Sequence, residues 1–264
     1  MIMSEALNHT LDARGVATVT LNRPELHNAF DDALIAHLTS VLETYGANPT
    51  VRALVLTGAG KSFSAGADLG WMKRMAGYSY EENLADAAGL ARLMQVLDRL
   101  PKPVIGLING AAYGGGVGLV ACCDIAIAAD RASFCLSEVK LGLLPAAISP
   151  YVVAAIGQRQ ARRYFQTAEV ISAEEARRIG LVHEVVPLHE LEAARDKVLA
   201  AIFLGAPGAQ ADAKDLVFTV DRPLTGEVIA ETGRRIALRR ASDEGREGVG
   251  AFLAKRDPAW RRSE

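Results

Sequence analysis

Cysteine is scarce: the 264 residues include three, Cys122, Cys123 and Cys135, two of them adjacent. No pair stands at metal-ligand spacing, and so odd and sparse a set excludes a disulfide scaffold and fits a reducing compartment. Proline is also rare, ten residues against 24 glycines, which excludes collagen and a proline-rich linker protein. An excess of one charge is missing too. The 29 Lys and Arg against 31 Asp and Glu leave a net −2, which gives no overall attraction to nucleic acid or an anionic membrane. The first ten residues have no basic segment followed by an apolar core, and no Arg-rich, acid-poor character, so a cytoplasmic protein is expected. One uncharged run, Val104 to Cys123, reaches the roughly 20 residues that could span a bilayer. Asn109-Gly110 and Gly114-Gly115-Gly116 interrupt it and divide it into strand, turn and helix.

What is present is apolar: 50% of the residues are hydrophobic, enough to bury a core and to argue against disorder. Runs at 16–21, 51–56, 104–108 and 124–128 read as strands. Between the first two, Asp31 and Asp32 can cap a helix to about Tyr45, with Leu34, Ile35, Leu38, Val41 and Leu42 on one face. A Gly/Ser-rich loop, 57–68, leads into helices that end before Pro101 and Pro103. From Ser149 on the pattern is mainly helical, with one short strand near 181–186 and a helix start capped by Ser172 with Glu175 at the capping-box position. Strands alternating with helices, then a helical tail, predict an α/β core with an appended helical segment. No linker or short repeat separates the two.

Familiar motifs fail on inspection. Gly58 to Ser62 looks like a phosphate-binding loop, but Val55 stands where its first glycine belongs. Gly114 to Gly118 is not a dinucleotide fingerprint, because its last glycine comes one residue early. Serine-hydrolase and zinc-protease signatures are absent. Two glycine-containing turns remain, 64–68 and 114–116. Each can present unobstructed backbone N–H groups, and two such donors aimed at one oxygen would make an oxyanion hole. Taken singly, glycines more often just permit tight turns. Glu138 lies among apolar residues, where a carboxyl can acquire a raised pKa and serve as a general acid or base; an ordinary surface glutamate is the plainer reading.

Four segments in order carry a resemblance: Asn22-Arg23-Pro24 with Asn28-Ala29; Phe63 to Leu69; Asn109 to Gly116 with Cys123-Asp124; and Ser137 to Gly142. Together they resemble the crotonase (enoyl-CoA hydratase/isomerase) superfamily from about Asn22 to Lys255. The resemblance implies an α/β spiral of ββα units over residues 1–200, followed by a helical assembly region over 201–264. It also implies trimers or hexamers, a coenzyme A thioester as substrate, and neither a metal nor a separate cofactor. By position, Ala67 and Gly115 would supply the two N–H groups to the thioester oxygen, and Glu138 would be catalytic. The 23–29 turn (Arg23, Leu26, His27, Ala29) and the 64–68 loop (Ser64, Ala65, Asp68) would flank the CoA, and Lys255 would approach its phosphate.

One position departs from the family. Typical hydratases carry a first catalytic glutamate where this chain has Gly118, so a two-carboxylate mechanism cannot be carried over. Detailed likeness at 63–72, 121–124 and 134–150 is to methylglutaconyl-CoA and γ-carboxygeranoyl-CoA hydratases. That implies hydration of a branched carboxy-enoyl-CoA in leucine or terpene breakdown, with Δ3,Δ2-enoyl-CoA isomerisation as the alternative. A distal carboxylate would need a cation, and Lys73, Arg74 and Lys140 are the nearby candidates in sequence. Arginines at 159–163, 177–178 and 234–240 raise RNA binding as a contrasting reading, but neighbouring acids such as Glu175 and Glu231 dilute them, so nucleic acid is not an expected partner.

Overall fold

The computed structural model describes residues 6–261. It separates into two compact units: one holds the chain up to Leu100 together with Val104–Arg195, and the other holds Pro101–Pro103 together with the chain from Asp196 onward.

The first unit begins with strands β1 (Leu7–Leu11) and β2 (Val16–Leu21) and helix α1 (Asp32–Ala47). Strand β3 (Ala53–Gly58) and helices α2 (Leu69–Met75) and α3 (Tyr80–Asp98) follow. Next come β4 (Val104–Ile108), β5 (Ala112–Tyr113), α4 (Gly115–Ala121), β6 (Ile125–Ala129) and β7 (Ser133–Cys135). Helix α5 (Ser149–Thr167), β8 (Ile171–Ser172), α6 (Ala173–Ile179) and β9 (Glu184–Val186) complete it. The strands form a six-stranded sheet in the order β1-β2-β3-β4-β6-β9 and a small sheet in the order β5-β7-β8. In the larger sheet β2, β3, β4, β6 and β9 pair in parallel and edge strand β1 is antiparallel; in the small sheet β5 and β7 are parallel and β8 is antiparallel to β7. Being covered on both faces, β3 and β4 are continuous apolar runs rather than alternating ones.

The spiral is legible in how each turn repeats. After leaving the large sheet, the chain makes a second, shorter extended contact and then a helix. β4 is followed by β5 and α4, and β6 by β7 and α5. After β3 that second contact shrinks to the isolated bridge Ser64–Ala112, and after β2 to Phe30–Ala67. These single bridges lie in the loops that carry the candidate site.

The helix starts follow capping chemistry. Asp31 accepts from the Leu34 amide at 2.9 Å to open α1, whose buried face is Leu34, Ile35, Leu38, Val41, Leu42 and Tyr45. Ser79 and Glu82 form a complete capping box on α3. At α6 only half of one exists: Ser172 accepts from Glu175 N, while the Glu175 carboxylate binds Tyr164 and Arg178 instead. The uncharged 104–123 run is strand, strand and helix. Among the described residues no helix is long and apolar enough to cross a membrane.

The second unit is helical: the end of α7 (Leu191–Leu204), then α8 (Pro207–Val220), α9 (Gly226–Ala241) and α10 (Asp243–Leu253). Most of its arginines are paired with acids. Arg235 meets Asp215 at 2.6 Å, Arg239 meets Asp212 and Glu244, and Arg234 and Arg235 hold the Glu231 carboxyl down to about 2. In the first unit, Arg163, Arg177 and Arg178 pair with Glu169, Glu174 and Glu175.

Candidate active site

Three segments of the first unit converge. One is the 64–68 loop. Ser64 is fully buried; its hydroxyl donates to Asn28 O at 2.9 Å and accepts from Gly66 N at 3.2 Å. Gly66 has φ +85°, and a Cβ there would stand 2.7 Å from Tyr113 O, so only glycine fits. Its carbonyl accepts from Phe30 N at 2.8 Å, and the Asp68 amide donates to Phe30 O at 3.0 Å. In a trans peptide the N–H points opposite to the C=O. Pinning Gly66 O to Phe30 therefore turns the Ala67 N–H to the other side, where it meets no acceptor among the described residues.

The second segment is the start of α4. Gly114, with φ +52° and ψ −123°, is its N-cap, and its amide donates to Cys135 O at 2.8 Å. Gly115 is the first helical residue, so its N–H has no partner within the helix and points out of the N-terminus. The two loops adjoin closely: a Cβ on Gly66 would lie 3.5 Å from Gly115 N, and one on Gly116 would lie 2.6 Å from Ser64 O.

The third is a single turn of 3-10 helix, Glu138–Leu141. The Glu138 carboxylate borders α4, since a Cβ on Gly114 would lie 3.4 Å from its Oε1. Its Oε2 is buried with no hydrogen-bond partner, and burial pushes the carboxyl above its ordinary pKa. A carboxyl with a raised pKa holds a proton more readily than an exposed one and is suited to general acid–base work.

Gly118, one turn further along α4, is buried. A Cβ there would collide with Ile148, and it would stand 3.1 Å from Met94 Cε. Ile148 is itself buried at the start of α5. The position where the resemblance leads one to expect another carboxylate is thus filled by apolar side chains.

The remaining expected residues are placed as follows. Leu26 and Ala65 are exposed, Ala29 is buried, and His27 adopts a left-handed conformation with Nδ1 3.0 Å from Ser62 Oγ. Arg23 donates to Ala29 O and to the carboxylates of Asp31 and Asp68. The Trp71 amide, and after it Arg23, hold the Asp68 carboxyl below its ordinary value against the effect of burial. Arg74 is engaged by Asp32 at 2.5 Å, whereas Lys73 and Lys140 are exposed and form no ion pair among the described residues. Lys255 is exposed, with φ 55°, and belongs to the second unit.

Sequence reasoning passed over Asn28, Phe30 and Ile148 as site residues. Asn28 is fully buried and stitches the 23–29 turn to the next loop. Its Oδ1 accepts from Arg23 N at 2.9 Å, and its Nδ2 donates to Ala59 O and Ser62 O, both at 2.8 Å. A polar residue inside the Asn28-Ala29 motif was the available signal. The two apolar residues gave none.

Comparison with known proteins shows the family and the fold. The enoyl-CoA hydratase/isomerase family model matches residues 12–263. Crotonyl-CoA hydratase of Syntrophomonas wolfei is 34% identical over 248 residues, covering 91% of this chain and 92% of its own length. The crystal structure of an enoyl-CoA hydratase from Shewanella pealeana is 48% identical with a TM-score of 0.94, covering 97% of this chain and 96% of that one. Pseudomonas aeruginosa AtuE also has a TM-score of 0.94, at 36% identity over 98% of this chain and 100% of its own. The mixed α/β architecture with its helical C-terminal region is the fold of these structures.

Proposed function

The chain belongs to the enoyl-CoA hydratase/isomerase family of the crotonase superfamily, and from that premise we propose that it adds water to an α,β-unsaturated acyl-CoA using Glu138 as its one carboxylate. The Ala67 and Gly115 N–H groups receive the thioester oxygen. Glu138 accepts a proton from a water, whose oxygen bonds to the β-carbon. The displaced π electrons move through the α-carbon to the thioester oxygen as an enolate, stabilised by the two N–H groups. When the enolate collapses, the α-carbon takes the proton back from Glu138. Hydrogen and hydroxyl are added across the double bond, and the enzyme returns to its starting state.

The observation that carries this reading is the buried, unpartnered Glu138 Oε2 beside the glycine turn that opens α4. For the substrate we propose a branched acyl group ending in a carboxylate, such as 3-methylglutaconyl-CoA. The motif likeness at 134–150 supports it, and so do Lys73 and Lys140, which have no ion-pair partner among the described residues. Residues 201–264 are proposed to serve assembly into trimers or hexamers, with Lys255 approaching the CoA phosphate of a neighbouring copy. Exposed Ile236, Val249, Phe252 and Leu253 support the assembly.

The apolar filling at Gly118 favours a second reading, Δ3,Δ2-isomerisation, which needs only one proton-shuttling carboxylate. Steady-state kinetics with 3-methylglutaconyl-CoA, crotonyl-CoA and a 3-enoyl-CoA separate these readings. The proposal expects the highest kcat/KM with 3-methylglutaconyl-CoA. Preference for crotonyl-CoA rejects the substrate assignment, and preference for the 3-enoyl-CoA rejects hydration as the main activity.

A further inference from the structure

We propose that Arg23 and Phe30 are positioning residues that jointly set the direction of both thioester-binding N–H groups, a proposal that rests on the Ala67 and Gly115 assignment above. Phe30 touches both donors by different means. Its backbone forms the isolated bridge with Ala67, through Phe30 N to Gly66 O and Asp68 N to Phe30 O. Its buried ring lies against the other donor, where a Cβ on Gly115 would collide with its Cζ. Gly115 is thus required for packing as well as for exposing its own amide.

A single bridge has two hydrogen bonds and no flanking ladder to hold it. Arg23 supplies what the ladder would. Its Nη1 donates to Ala29 O at 3.0 Å and to Asp31 Oδ2 at 3.3 Å, the residues on either side of Phe30. Its Nη2 donates to Asp68 Oδ2 at 3.1 Å, the residue after Ala67. The guanidinium therefore closes around the bridge from both of its strands. Its planar fork is the one cationic side chain able to do so with fixed geometry.

The same facts argue against Arg23 as a phosphate ligand of CoA. Its side chain is only 18% exposed, and its single positive charge is shared between two carboxylates. That cluster has no net positive charge to offer a phosphate. Oxyanion stabilisation depends on donor direction, and misplacement by about 1 Å can cost ~10²-fold in rate. A clamp on this bridge would therefore act on turnover and not on CoA affinity.

The test uses butyryl-CoA labelled with ¹³C at the thioester carbonyl, which has no double bond to hydrate. Isotope-edited infrared difference spectra read the carbonyl stretch in the bound state. In the wild type the band should lie below its position in water, because two N–H groups polarise the carbonyl. Arg23→Met should move the band back toward its free position and lower kcat for hydration by at least ~10-fold. The Kd for butyryl-CoA should stay within about threefold, a range that leaves its binding free energy nearly unchanged. Arg23→Lys, which keeps the cation but loses the fork, should fall between the two in both band position and kcat. Phe30→Leu, which keeps the backbone bridge but withdraws the ring from Gly115, should also weaken the shift.

A band in Arg23→Met that stays at the wild-type bound position, together with a large loss of affinity, would overturn the proposal in favour of direct CoA contact. A full wild-type shift and full kcat in all three variants would overturn it outright. A wild-type band that never moves on binding would instead overturn the oxyanion assignment on which the proposal rests.

Discussion

The two compact units differ in how many of their apolar residues they enclose. In the first, Phe63, Phe134, Leu54, Leu56 and Ile105 are fully enclosed. Apart from Arg52, its buried polar side chains Asn28, Ser62, Ser64 and Asn109 gather in the turns around the candidate site. In the second, α8 buries nothing, α9 buries only Val228 and α10 only Ala251. Ile229, Ile236, Leu238, Val249, Phe252 and Leu253 face outward. The first unit has the interior needed to hold a carboxyl and two amides in fixed directions, whereas the second exposes apolar surface suited to another copy of the chain. Chemistry is therefore expected to fail through substitutions in the first unit, and affinity or assembly through substitutions in the second.

The largest effect should come from Glu138→Gln, which keeps size and one acceptor oxygen but cannot take up the proton. Turnover should fall by roughly 10²–10⁴-fold with KM nearly unchanged, measured by steady-state kinetics. The same variant should be more stable than the wild type at neutral pH. Burial raises the Glu138 pKa in the folded state, so the wild type loses stability as pH rises from the unfolded carboxyl's ordinary value through the raised one. Thermal melts should show the difference between the two proteins vanishing below the unfolded value. A Glu138→Gln protein that melts below the wild type at pH 7 would remove the desolvation argument.

Loss of the Gly115 donor should rank next. Proline is a poor tool here, because any Cβ at 115 meets the Phe30 ring. Replacing Gly115 with glycolic acid exchanges the N–H for an ester oxygen and adds no side chain. Activity should drop about 10²-fold with folding intact.

Gly118→Glu addresses stability more than rate. The new side chain would enter space held by Ile148 and Met94, and overpacking of this kind costs on the order of 1–3 kcal/mol before the buried charge is counted. Denaturant melts should show that loss, and Ile148→Ala in the same chain should restore part of it. The smallest effect should be that of Lys255→Ala in the second unit. It should weaken acetyl-CoA binding more than dephospho-CoA binding while kcat is retained. Equal weakening of both would mean an ordinary surface lysine.

The parts of this architecture that were legible in the sequence are those with long apolar periodicity or explicit punctuation. Helix α1 announced itself by its spacing and its Asp31 cap, and β3 and β4 by unbroken apolar runs. Strand β1 was not legible. Leu7-Asn8-His9-Thr10-Leu11 buries only Leu7 and exists because β2 offers it an edge. Strands β5, β7 and β8 span two or three residues each, too short for any pattern to reveal. At the site, glycines and a glutamate in motifs could be picked out. Phe30 and Ile148 could not, because their roles come from which backbone lies under their side chains, a property of tertiary packing.

The central claim is that Glu138 in the first unit directs a water onto the β-carbon of an enoyl-CoA. Turnover in H₂¹⁸O followed by mass spectrometry of the acyl product tests it most directly. The account predicts one ¹⁸O on the β-carbon with the wild type and a matching loss of labelled product with Glu138→Gln. Product that forms at the wild-type rate with no ¹⁸O, or labelled product undiminished in Glu138→Gln, would contradict it.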